Sequence, residues 1–150
     1  MEKLRDLSRG AKLVLVAGPL LFVSLFFDWQ TLRIDYGPAG VVEQPLDGWD
    51  AWGLLTGLLA IAAVTLVVLR HLTEKELRED VPWDTVTLGL GGAAFATTLV
   101  KSLTDENSTW ESYAFVLIAG MLALGAYLSW TEERRESPDP REGRRVSSAA

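Results

Sequence analysis

Residue types able to do chemistry are few in this chain of 150 residues. It holds one histidine, His71, and no cysteine. Disulfides, thiolate metal sites and cysteine nucleophiles are therefore excluded, and so is any site built from several histidines. A hydrolase needs a nucleophile and base, or a metal set, gathered at one place. One histidine and scattered acids do not supply it, so the expectation is a protein that is not an enzyme, with no catalytic, cofactor or metal residues. Two features remain. One is Lys101, a cation directly after the apolar run that ends at Val100. The other is "LDGWDAWG", starting at Leu46, where Trp49 and Trp52 stand beside Asp47 and Asp50 before the chain turns wholly apolar.

Polar residues are sparse because the apolar ones are collected into four blocks, roughly 13–27, 51–69, 86–100 and 113–130, none containing Asp, Glu, Lys, Arg or His. A helix crossing the hydrocarbon needs about 20 residues. A soluble helical bundle would need a polar stripe on each helix, and "LLTGLLAIAAVTLVVL" offers only threonine. The expected fold is an all-α membrane protein with four transmembrane helices in a bundle. The helices are placed at about 11–28, 50–70, 85–103 and 112–130, within a domain covering 1–130. In the outer loop, 29–49, "TLRIDY" alternates, "GPAG" signals a turn and "VVEQ" can return, which predicts a small β-hairpin. Residues 131–150 carry mixed charge, proline and few apolar side chains, the composition of a disordered tail. The basic start and first apolar block could pass for a signal peptide. The block ends in "SLFFDWQ", bulky where a cleavage site wants small residues, so it reads as a retained helix.

Orientation follows Lys and Arg in short connections. Lys3, Arg5, Arg9 and Lys12 precede the first helix, Arg70, Lys75 and Arg78 lie in the second connection, and Arg134, Arg135, Arg141, Arg144 and Arg145 in the tail. The other two connections hold Arg33 and Lys101 alone. Both termini are expected in the cytoplasm and the protein in the bacterial plasma membrane, with membrane lipids as partners and no nucleic acid. The outer loops are acidic, through Asp28, Asp35, Glu43, Asp47, Asp50, Asp105, Glu106 and Glu111.

The aromatic residues fit the same picture. Trp and Tyr favour the headgroup layer, where a flat apolar ring carries a polar N–H or O–H. Trp29 ends the first helix, Trp49 and Trp52 begin the second, Trp110 and Tyr113 begin the fourth, and Trp130 closes it. Asp50 suits the cap of a helix. "GWDAWGL" from Gly48 and "TWESYAF" from Thr109 repeat this signal, with Glu111 at the place of Asp50. Lys101 is expected to snorkel outward and meet Asp105, Glu106 or an acid of the first loop. Small residues at four-residue spacing, Gly53 with Gly57 and Gly89 with Ala93, predict helix-packing faces, within the bundle or between copies of a homo-oligomer.

The entry "GWDAWG", the first-helix ending "SLFFDW" and the glycine-rich "YAFVLIAGMLALGAYLSW" are similar to the corresponding parts of small four-helix membrane proteins of actinobacteria. In those, a proline is usual where this chain has Asp28. The resemblance implies the fold alone, since no activity is established for that family. The functional expectation is an accessory or interaction subunit that meets a protein partner through its acidic outer loop. The alternative is a small oligomeric channel or carrier for a neutral or lipidic solute, lined by Thr56, Thr65, Thr97 and Thr98.

Overall fold

A computed structural model describes residues 7–71, 81–104 and 109–136. Among these the chain forms four helices and one antiparallel hairpin: α1 (Arg9–Ser24), β1 (Asp28–Asp35), β2 (Val41–Asp47), α2 (Ala51–His71), α3 (Trp83–Thr104) and α4 (Trp110–Glu136). The last three are long and apolar enough to cross a membrane. The 16 residues of α1 extend only about 24 Å at 1.5 Å per residue.

Each boundary has a local cause. Ser8 caps α1 by accepting the Ala11 N–H at 3.1 Å. The helix stops at Ser24, short of the expected residue 28, because its last carbonyls find other donors. The Trp29 indole N–H reaches Ser24 O at 2.9 Å, and the Gly48 N–H reaches Leu25 O at 2.9 Å. A helix end leaves such carbonyls unsatisfied, and here the hairpin satisfies them. At the other extreme α4 runs on through Glu136, past the expected tail boundary at residue 130. The rest of that tail, 137–150, lies outside the described residues, as do Lys75, Arg78, Asp105 and Glu106.

The helices pack in cyclic order, α1 against α2 and α4, and α3 against α2 and α4. Their common core is rich in alanine: Ala11, Ala17, Ala60, Ala63, Ala94, Ala119 and Ala126, filled out by Val14, Leu21, Val67 and Leu122. Small residues let backbones approach closely. The tightest crossing joins α1 to α4, where a Cβ on Gly10 would stand 2.2 Å from Ser129 N and one on Gly125 would stand 3.0 Å from Gly10 O.

The expected packing stripe on α3 is displaced. Its buried face runs through Thr87, Gly91, Ala94, Thr98, Lys101 and Ser102. Gly89 is exposed, Ala93 is half-buried, and a Cβ on Gly89 would meet nothing within 4 Å. Small residues occur on every side of this helix, so they do not choose a face. Four polar residues mark the inward face instead, since Thr87, Thr98, Lys101 and Ser102 are all buried.

The hairpin pairs Asp35 with Val41 at its tip and Asp28 with Asp47 at its root, with an irregularity between Asp28 and Gln30. Trp29 sits in that irregularity, outside the register, as the extra residue of a β-bulge does. The tip turns through Gly37 and Gly40, at φ 63° and 100°, a region open to glycine without strain.

Candidate functional site: a buried lysine under the hairpin

The bulge aims Trp29 into the protein. Its side chain is fully buried, so the expectation that it anchors at the membrane interface is corrected. One side of the indole stacks on Phe115 of α4, ring centres 4.9 Å apart and tilted by 36°. The Lys101 ammonium lies 5.3 Å from the ring centre, within reach of a cation–π attraction.

Lys101 does not snorkel. It is fully buried, and its Nζ donates to Asp50 Oδ2 at 2.6 Å. Asp50, an acid of the first loop, is among the expected partners, while Asp105 and Glu106 lie outside the described residues. Asp50 has a second role, since its Oδ1 accepts the Gly53 N–H at 2.7 Å and caps α2. One carboxylate thus starts a helix and neutralises a buried cation. Gly53 must be glycine for this, because a Cβ there would lie 1.6 Å from Gly48 O. Gly57, one turn on, faces Leu25, whose Cδ1 would be 2.8 Å from its Cβ. The hairpin root is also tied to α4, where the Thr109 N–H donates to Trp29 O at 3.2 Å and the Thr109 hydroxyl to Asp28 O at 2.9 Å.

Trp29, Asp50 and Lys101 are thereby brought together from β1, the entry to α2 and the end of α3. The other singled-out rings stay apart from them. Trp49 and Trp52 are partly exposed, Trp49 packing edge-on against Phe22 and Phe26. Trp110 and Tyr113 are exposed and Glu111 is half-buried. The two echoed entries differ in register: Asp50 stands just before α2, whereas Glu111 is already inside α4. Ser24 completes the site without any motif to announce it, together with Thr109 and Phe115, the first and last residues of the "TWESYAF" echo. The pattern that could have found Thr109 is its place just ahead of an aromatic helix entry. Among the described residues no three acids or histidines gather into a metal site.

A second charged cluster lies at the opposite end of the helices. The Arg70 guanidinium forks between Asp84 and Glu133, pairing with both and joining α2 to α3 and α4. Beside it opens a cavity of about 440 Å³ lined by Pro82, Asp84, Thr85, Trp130, Glu133 and Arg134. Trp130, expected to close the last helix at the interface, lies within α4, with the Arg134 guanidinium 4.1 Å above its ring.

No protein-family model, curated protein sequence or solved structure matches this chain.

Proposed function

We propose that this is a four-span plasma-membrane bundle of the kind seen in the resembling actinobacterial proteins. Both termini would be cytoplasmic, and the protein would act as a non-enzymatic interaction subunit through its hairpin face. Three helices are long and apolar enough to span. The shorter α1 is extended by exposed Phe26 and Phe27, which lengthen its apolar band. Arg9, Lys12, Arg70 and Arg134 lie at the end away from the hairpin, as a cytoplasmic side requires.

One observation carries the functional reading: a fully buried cation, its carboxylate and a fully buried tryptophan are all committed to seating the root of the hairpin. The hairpin body beyond the root is left exposed. It presents apolar Leu32, Tyr36, Val41 and Val42 among acidic Asp35 and Glu43. A rigidly seated apolar–acidic surface suits a protein partner with apolar and basic residues. The channel alternative has less support. Thr98 turns its hydroxyl to Ala94 O at 2.8 Å, and Thr56 bonds Thr97 at 2.8 Å, so these hydroxyls are engaged with the protein itself. Thr65 faces outward.

The test is cross-linking in native membranes followed by mass spectrometry. It compares the full chain with a variant carrying Leu32→Ser, Tyr36→Ser, Val41→Ser and Val42→Ser. A partner lost from the variant supports the reading. An unchanged partner set overturns it, and solute flux in liposomes above background would put the carrier in its place.

A further inference from the structure

We infer that the cavity beside Arg70 is a binding site for the zwitterionic headgroup of an aminophospholipid, with Arg134 holding the phosphate and Asp84 and Glu133 holding the ammonium. The inference rests on the membrane-spanning reading but not on any partner at the hairpin. Its depth follows from α4. Trp110 and Trp130 are separated by a rise of about 30 Å at 1.5 Å per residue, close to the hydrocarbon thickness. With Trp110 near one headgroup layer, Trp130 lies near the other, and the cavity it lines opens there. Its volume of about 440 Å³ falls in the range of about 300–1,000 Å³ usual for ligand sites.

The charges select the ligand. The lining holds Asp84, Glu133 and Arg134, and Arg70, which does not line the cavity, pairs with both carboxylates, so these four side chains sum to zero charge. A lone anion or a lone cation would unbalance this set, whereas a zwitterion leaves it neutral. Arg70 occupies Asp84 Oδ1 and Glu133 Oε2. Asp84 Oδ2 and Glu133 Oε1 can then accept N–H bonds from a primary ammonium, joined by the Thr85 hydroxyl. A quaternary ammonium has no N–H to give. The alternative way to hold one is an aromatic face, and Arg134 already covers Trp130. A guanidinium lying over a ring can still offer N–H groups to a phosphate, which arginine matches well.

The full-length protein, purified in mild detergent, is exchanged into an equimolar mixture of phosphatidylethanolamine, phosphatidylcholine and phosphatidylglycerol, and the retained lipid is read by mass spectrometry. Phosphatidylethanolamine should be enriched over both others. Arg134→Gln should lower that enrichment about tenfold, the effect of one charge-assisted contact. Arg135→Gln, at an exposed residue that does not line the cavity, should leave it unchanged. Equal retention of the three lipids, preference for phosphatidylglycerol, or equal behaviour of the two variants would overturn the assignment. Soluble phosphoethanolamine provides the second arm. Binding that depends on Arg134 without any lipid enrichment would uphold the site and move its source from the bilayer to the water.

Discussion

At the hairpin end, among the described residues, the cation Lys101 meets the Asp50 carboxylate. At the opposite end one cation, Arg70, meets two. The lysine side chain is 0% exposed and its partner Asp50 37%, while Arg70, Asp84 and Glu133 lie between 21% and 28%. An ammonium is a compact point charge and a guanidinium a planar fork. The fork ties three helices and shares its exposure evenly. The point charge is buried outright, and its carboxylate keeps contact with solvent. The hairpin-end pair is therefore lopsided: losing the acid takes a carboxylate from a buried charge, whereas losing the lysine leaves an acid that water can reach. The tail-end cluster has no member whose loss is as severe.

Asp50→Ala should have the largest effect. It takes the Asp50 carboxylate away from the buried Lys101 ammonium and removes the cap of α2. Breaking a fully buried pair costs about 3–5 kcal/mol; with Asp50 37% exposed the loss falls toward the lower end of that range, and a lost cap adds about 1 kcal/mol. Lys101→Met keeps the long apolar stem and should be much milder. Adding Lys101→Met to Asp50→Ala should restore most of the loss. Thermal unfolding in detergent reads all three variants. If Lys101→Met proves as harmful as Asp50→Ala, the lopsidedness is wrong.

The backbone crossing of α1 and α4 comes next, since it holds the tail end while the charges there stay half-exposed. Gly125→Leu would push a side chain into Gly10 O, Leu13 and Val14 N, each 3.0 Å from its Cβ. Overpacking of this kind costs about 1–3 kcal/mol. Gly89→Leu should stay within about 0.5 kcal/mol, because its Cβ has open space. Equal melting temperatures for the two would place the packing seam elsewhere.

Arg70→Gln should be smaller still, about 1 kcal/mol, and it alone should fade with salt. Partly exposed charges are screened at a Debye length of about 8 Å at physiological ionic strength. The Asp50→Ala effect should persist in 1 M salt, because Lys101 is out of reach of the solvent. Equal salt dependence of both variants would erase the distinction between the two ends.

How much of this was legible in the sequence depends on range. The apolar blocks gave the helices, and "TLRIDY", "GPAG" and "VVEQ" gave the hairpin, because those signals act over a few residues. The capping carboxylate of Asp50 was readable for the same reason. Trp29 was not. Its fate depends on a bulge and on Phe115, Lys101 and Ser24, which are distant in sequence, so interface chemistry was the reading its neighbours suggested. Lys101 was visible as an outlier, but its burial needed knowledge of which α3 face turns inward. The small residues misdirected that choice. Thr87, Thr98 and Lys101, at helical spacing, carried the better signal. Arg70 counted only as an orientation charge, since nothing near it in sequence names Asp84 and Glu133 as partners.

A third ion pair sets the zero of the scale. Arg33 and Glu43 face each other across the hairpin, with Arg33 Nε donating to Glu43 Oε1 at 2.9 Å. Their side chains are 64% and 52% exposed. Exposed pairs contribute about 0–1 kcal/mol, since water already solvates both charges and two long side chains must be held still. Arg33→Gln should therefore shift the melting temperature hardly at all, in low salt or high. Burial would then rank these three cations and their partners as exposed, shared and complete. A loss from Arg33→Gln as large as that from Arg70→Gln would mean that burial does not order these pairs. The hairpin would then owe its place to its own strands as much as to the lysine beneath it.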